Sequence, residues 1–224
     1  IIGNDLFLHP GIDFISFTGS SEVGKTILAN ASRTVKTTMM ELGGKNPAII
    51  LEDADVEAAA EELCGITFEN VGQNCAQPSR FYVHEKVHDR FVQKFVETAN
   101  RIKVGDPADP DTVMGPVVSK EQRSTIERYI KSAIDEGATL VCGGKRPSGP
   151  AYHKGFYLTP TVFTNLTADM TIAREEVFGP VVGFFKFSSD DAVLEAANDS
   201  VFGLCASVWT RDYARGLRFV NELQ

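Results

Sequence analysis

The chain has 224 residues, of which 43% are hydrophobic and 23% charged, so it can bury a sizeable core as one domain or as parts of two. A formal charge of -8 with no basic run argues against nucleic acid or an anionic membrane surface as partner. No apolar stretch reaches the length of a membrane-spanning helix, and the opening Ile1-Ile2-Gly3-Asn4 has no basic n-region, so no secretion signal is expected there.

In chain order, residues 12–18 are rich in β-branched and aromatic residues and predict a strand, with a turn at Gly19 and a helix over 22–31. Strands are expected over 34–40 and 47–51. Asp53 and Asp55 suit the start of a helix over about 56–71. A short strand at 81–83 precedes an amphipathic helix over 86–101 with Val87, Phe91, Phe95 and Val96 on one face. An extended turn follows at 105–110, then a helix over 119–136, a strand at 139–142 and a surface loop at 145–154. The remaining pattern predicts strands near 161–163, 181–187 and 205–210 and helices at 190–198 and 212–221. Strands alternating with helices in this way predict an α/β fold, a mainly parallel sheet with crossover helices.

The four cysteines, Cys64, Cys75, Cys142 and Cys205, show no metal-ligand spacing, so no metal site is expected. Reduced thiols in a cytoplasmic compartment fit this sparse usage. Cys64, Cys142 and Cys205 lie in apolar segments and are expected to pack as small hydrophobes. Cys75 differs. It stands between a helix end and a turn, in Gly72-Gln73-Asn74-Cys75. Upstream, Gly19-Ser20-Ser21-Glu22-Val23-Gly24-Lys25-Thr26 matches the P-loop pattern between a strand and a helix. A nucleotide hydrolase is therefore one reading, although it leaves Cys75 unused. A pyrophosphate contact at the same turn is another.

Taken together, Phe17-Thr18-Gly19-Ser20 with Gly24, Glu41-Leu42-Gly43-Gly44-Lys45, Gly72-Gln73-Asn74-Cys75 and Glu175-Glu176-Val177-Phe178-Gly179-Pro180 resemble the motifs of the NAD(P)-dependent aldehyde dehydrogenase family. The resemblance implies a small-molecule aldehyde substrate, NAD or NADP as cofactor, and oxidation to a carboxylic acid. Cys75 then corresponds to the nucleophile that forms a thiohemiacetal and a thioester, and Glu41 to the base that activates the thiol and the hydrolytic water. Gly19, Ser20 and Gly24 correspond to pyrophosphate contacts, Leu42 and Gly44 to the nicotinamide surroundings, and Glu176 and Phe178 to the nicotinamide ribose and ring. A non-catalytic remnant of the same fold is the third reading.

The resemblance also implies a boundary, with residues 1–43 as the tail of a Rossmann-like dinucleotide-binding domain and 44–224 as a catalytic domain lacking its last segments. It implies a homodimer or homotetramer for the full-length protein. Neither end of the sequence reads as a natural terminus, and an internal portion of a longer protein is expected. The family's oxyanion-hole asparagine would precede this portion, so the polypeptide alone is expected to turn over little aldehyde.

Overall fold

The computed structural model describes residues 2–224 and divides into two compact units, Ile1–Gly44 and Lys45–Gln224. In the first, helix α1 (Ile2–Leu8) precedes strand β1 (Phe14–Thr18), helix α2 (Ser21–Ala31) and strand β2 (Thr37–Glu41). The two strands pair in parallel, with Thr18 opposite Glu41. Ile15, Ile27 and Ala31 form the small core between them and α2. The Ser20 hydroxyl accepts from the Val23 N–H and caps α2.

The second unit runs from β3 (Asn46–Ile50) through α3 (Val56–Phe68), β4 (Pro78–His84), α4 (His88–Asn100), α5 (Lys120–Asp135) and β5 (Thr139–Cys142). It continues with β6 (Thr161–Thr164), α6 (Thr171–Arg174), β7 (Val181–Phe187), α7 (Asp190–Asn198), β8 (Ser207–Trp209) and α8 (Tyr213–Glu222). Its six-stranded sheet has the order β5-β6-β7-β4-β3-β8, and only the β5–β6 pair is antiparallel. This is the α/β architecture, mainly parallel, that the alternating pattern predicts. Every residue of β3 is buried, as a central parallel strand covered on both faces requires.

The main core joins α3 and α4 to the middle of the sheet. Phe81 of β4 stacks on Phe184 of β7 with ring centroids 4.8 Å apart, and Phe95 of α4 meets Phe81 edge-on at 5.1 Å. These rings fix β4 and β7 side by side, which places the loops before both strands next to each other. Asp55, Ser119, Ser189 and Asp212 each accept from a backbone N–H three residues on, and cap α3, α5, α7 and α8.

Several boundaries differ from the sequence reading, for local reasons. The helix expected to run to residue 71 stops at Phe68, because Asn70, Val71 and Gly72 all take left-handed backbone angles. The second strand starts at Thr37 and not at 34, since Ser32–Thr34 closes a 3-10 turn and Val35 is left-handed. The strand at 81–83 extends to Pro78–His84 because both neighbours pair with it. The helices α1 and α6, of seven and four residues, escape a periodicity search. Cys205 does not pack as a small hydrophobe: it lies exposed in the loop before β8. Cys142 is half-buried, and Cys64 is fully enclosed.

Candidate active site

In the second unit, the sheet brings together the loop carrying Cys75 and the loop carrying Glu176 and Phe178. After α3 the chain makes a tight left-handed passage through Asn70 (φ 48°), Val71 (φ 64°) and Gly72 (φ 66°). Non-glycine residues rarely adopt such angles, and here hydrogen bonds over-determine them. The Asn70 amide donates to the Gln73 carbonyl at 2.9 Å, and the Gln73 N–H donates to the Asn70 carbonyl at 3.1 Å. The Gln73 side-chain oxygen accepts from the Val118 N–H at 2.9 Å and ties the passage to the segment before α5.

Cys75 comes next, in a turn closed by the Gln77 N–H donating to the Asn74 carbonyl at 3.1 Å. The Asn74 side-chain oxygen accepts from the Ala76 N–H at 2.9 Å and lies 3.8 Å from the Cys75 sulfur. The thiol is half-buried, unlike the enclosed Cys64, whose pKa burial pushes up to about 12.

Two residues that motif reading did not single out hold the Phe178 loop, one from the Cys75 turn and one from α5. Gln77 is buried, and its amide donates to the Thr67 carbonyl at 3.2 Å and the Gly179 carbonyl at 3.1 Å. Gln122, on α5, donates to the carbonyls of Val177 and Phe178 at 3.3 and 2.8 Å. Neither stands at a position that periodicity would flag, because each amide bonds to backbone carbonyls remote in sequence and does not pack along an apolar face. Phe178 is held with φ at 51° and is 38% exposed, so its ring is presented outward from a backbone that would prefer otherwise. Glu176 is half-buried beside it, while Glu175 accepts from the Tyr129 hydroxyl at 2.7 Å. Burial and that carboxylate push the Tyr129 pKa up to about 12.

In the first unit, the predicted residues also fall together. The Gly19 N–H donates to the Glu41 carbonyl at 3.0 Å, so the turn leading into α2 is bonded to the end of β2. Gly24 faces Leu42 so closely that a Cβ would stand 2.6 Å from a leucine methyl. Gly19, Ser20, Gly24, Glu41 and Leu42 thus share one end of the β1–α2–β2 motif. Lys25 and Thr26 lie on α2, the latter donating to the Glu22 carbonyl within the helix. Gly44 ends this unit, and Lys45 begins the next.

Lys45 is buried, and its pKa is lowered to about 7, first by loss of water and then by Arg80, with Glu176 and Glu175 opposing. Arg80 Nε donates to the Lys45 carbonyl at 2.7 Å, and its other end reaches the Ala197 carbonyl at 2.9 Å. Among the described residues no group of three or more His, Cys, Asp or Glu could hold a metal ion, and no helix is long and apolar enough to cross a membrane.

Comparison with known proteins identifies the family. The betaine aldehyde dehydrogenase of Bacillus subtilis (strain 168) is 43% identical over 223 residues, which is all of this chain and 46% of that protein. The betaine aldehyde dehydrogenase of Brucella anthropi is 44% identical over the same span. Among solved structures, a 3,6-anhydro-L-galactose dehydrogenase in complex with NAP superposes with a TM-score of 0.96 at 43% identity, covering 99% of this chain and 46% of that one. A Staphylococcus aureus betaine aldehyde dehydrogenase in complex with NAD+ superposes with a TM-score of 0.95 at 41% identity, over 99% of this chain and 44% of that one. The chain spans about half the length of the curated relatives it matches. The model of the aldehyde dehydrogenase family matches residues 1–224, and the chain belongs to that family.

Proposed function

We propose that this chain is the catalytic portion of an NAD(P)-dependent aldehyde dehydrogenase that oxidises an aldehyde to a carboxylic acid. The observation that carries the reading is the half-buried Cys75 in a pinned turn, bonded through Gln77 to the loop of Glu176 and Phe178. In this reading residues 1–43 end a dinucleotide-binding domain and 44–224 belong to the catalytic domain.

The residues present fit a dinucleotide. The N-terminus of α2, an eleven-residue helix, offers backbone N–H groups and a favourable dipole to a pyrophosphate, with Gly19 and Ser20 exposed at that end. Gly19, Ser20 and Gly24 would hold the pyrophosphate. Leu42 and Gly44 would line the nicotinamide, Glu176 would accept from the ribose hydroxyls, and Phe178 would support the ring. When bound, NAD+ or NADP+ supplies the hydride acceptor.

Cys75 attacks the aldehyde carbonyl as a thiolate, and the thioester that follows is bound to its sulfur. Glu41 takes the thiol proton through a water, then activates the water that hydrolyses the thioester. The Cys75 N–H stabilises the developing oxyanion. The choice between NAD and NADP and the aldehyde itself are tested with the natural gene product on an aldehyde panel that includes betaine aldehyde. NAD(P)H formation, abolished in Cys75→Ser and Glu41→Gln, supports the assignment; turnover that survives Cys75→Ser overturns it. The 224-residue polypeptide alone is expected to turn over little or no aldehyde. A homodimer or homotetramer of the full-length protein is part of the same proposal.

A further inference from the structure

The Cys75 turn has one more partner, and it comes from β3. Asn46 is 3% exposed and opens that strand at a bulge, where the register with β4 slips between Asn46 and Pro47. Bulges of this kind re-aim a side chain. Here the carboxamide turns to the loop: Nδ2 donates to the Cys75 carbonyl at 2.7 Å and to the Gln77 carbonyl at 2.9 Å. On its other side, Oδ1 accepts from the Cys205 N–H at 3.2 Å. Flipping the amide would set an oxygen against two carbonyl oxygens, so the network admits one orientation.

The consequence concerns one peptide plane. The Cys75–Ala76 peptide has its carbonyl held by Asn46 and its N–H held by the Asn74 side chain at 2.9 Å. With both ends pinned, the rotation that would swing the Cys75 backbone out of place is blocked. The third bond of Asn46 carries the constraint into the loop before β8, where the Cys205 sulfur lies 3.6 Å from the Ala76 carbonyl.

We propose that Asn46 is the positioning residue of Cys75, holding the nucleophile's peptide plane between β3 and the loop before β8. This rests on the reading of Cys75 as the nucleophile. Asn46 touches no reacting atom. It acts on rate by holding the Cys75 carbonyl, and with it the backbone from which the sulfur projects, and misplacing a reacting group by about 1 Å costs on the order of a hundredfold in rate.

The test places Asn46→Ala, Asn46→Asp and Cys75→Ser in the natural gene product, with kcat and KM measured on the best aldehyde of the panel and folding checked by thermal melt. Asn46→Ala is expected to lower kcat about tenfold to a hundredfold, with KM for the cofactor changed less than threefold. The Glu176 and Phe178 loop keeps its own ties through Gln77 and Gln122. Asn46→Asp supplies the discriminating readout. As a carboxylate it faces two carbonyl oxygens and is worse than alanine; protonated, it donates to one of them and is better. Its kcat relative to Asn46→Ala therefore rises as the pH falls, and the two profiles cross. Lys45 and Arg80, with the Cys75 and Cys205 thiols, are the charged and titratable groups around this amide, and all four are present in both variants.

If Asn46→Ala does not fold, Asn46→Ser, with a small hydroxyl donor, takes its place in the comparison. A kcat within twofold of the parent, or equal loss in both variants with no crossing, overturns the proposal. Full activity of Cys75→Ser overturns the nucleophile reading beneath it, whereas an inactive Cys75→Ser beside an unaffected Asn46→Ala removes only the positioning role.

Discussion

A Cβ added to Gly72 would stand 2.3 Å from the Gly179 carbonyl oxygen, so the passage before Cys75 and the turn after Phe178 meet backbone to backbone. Gly72 also has φ at 66°, where a side chain costs about 1–2 kcal/mol before any clash. Gly179 differs: its added Cβ would strike the end of the Ile126 side chain, 2.4 Å away, and its own φ is not left-handed. Gly72→Ala is therefore expected to destabilise the protein more than Gly179→Ala, by at least about 1 kcal/mol. Urea unfolding of the two variants measures the difference. Equal midpoints would mean that the contact relaxes without cost.

What could be read before the fold was known divides along a physical line. Residues 181–187 and 190–198 are local patterns, a run of valine and phenylalanine and a helical stretch after it, and β7 and α7 occupy those same residues. Cys75 stood out because its neighbours form a compact motif. Asn46, Gln77 and Gln122 did not, because each acts on carbonyls that are remote in sequence: Gln77 and Gly179 are 102 residues apart. An amide that bonds to backbone leaves no trace in periodicity or composition. Cys205 misled for the opposite reason. Its neighbours Leu204 and Ala206 look like a buried strand, but the strand begins only at Ser207.

Phe178 offers a case where stability and function should separate. Its left-handed backbone costs about 1 kcal/mol, and its ring, 38% exposed, recovers little by burial. Asparagine tolerates this conformation better than phenylalanine does. Phe178→Asn is expected to keep or raise the unfolding midpoint while raising KM for the cofactor roughly tenfold, the latter equal to about 1.4 kcal/mol of binding. A lowered midpoint would show that the ring is held for packing; an unchanged KM would remove it from the cofactor site.

The four thiols should separate under alkylation. Burial pushes the Cys64 pKa up to about 12, and burial also raises those of Cys142 and Cys205. A thiol reacts as thiolate, so Cys64 is expected to react more slowly than Cys75 by several orders of magnitude at neutral pH, with Cys142 and Cys205 between. Iodoacetamide labelling followed by peptide mass spectrometry gives each rate. Cys75→Ser should remove the fastest phase and leave the others unchanged. A fast phase that persists at Cys205 would move the reactive centre to the loop before β8.

Lys45 makes stability depend on pH with a sign that can be worked out. Its pKa falls from an ordinary 10.5 to about 7 in the folded protein, because burial and the nearby Arg80 disfavour the ammonium. Between those values the unfolded chain binds the proton and the folded chain releases it. Unfolding free energy from this group therefore rises with pH, beginning near 7. The upper part of the window overlaps with Cys64, whose raised pKa acts oppositely above its ordinary 9.0. The clean interval is pH 7 to 8.5. Over it, the parent protein is expected to gain stability and Lys45→Met to lose most of that slope while starting from a higher value at pH 7. Urea midpoints at three pH values in the interval decide it. Parallel slopes in parent and variant would mean that Lys45 keeps its charge in the folded protein, with Glu175 and Glu176 outweighing burial.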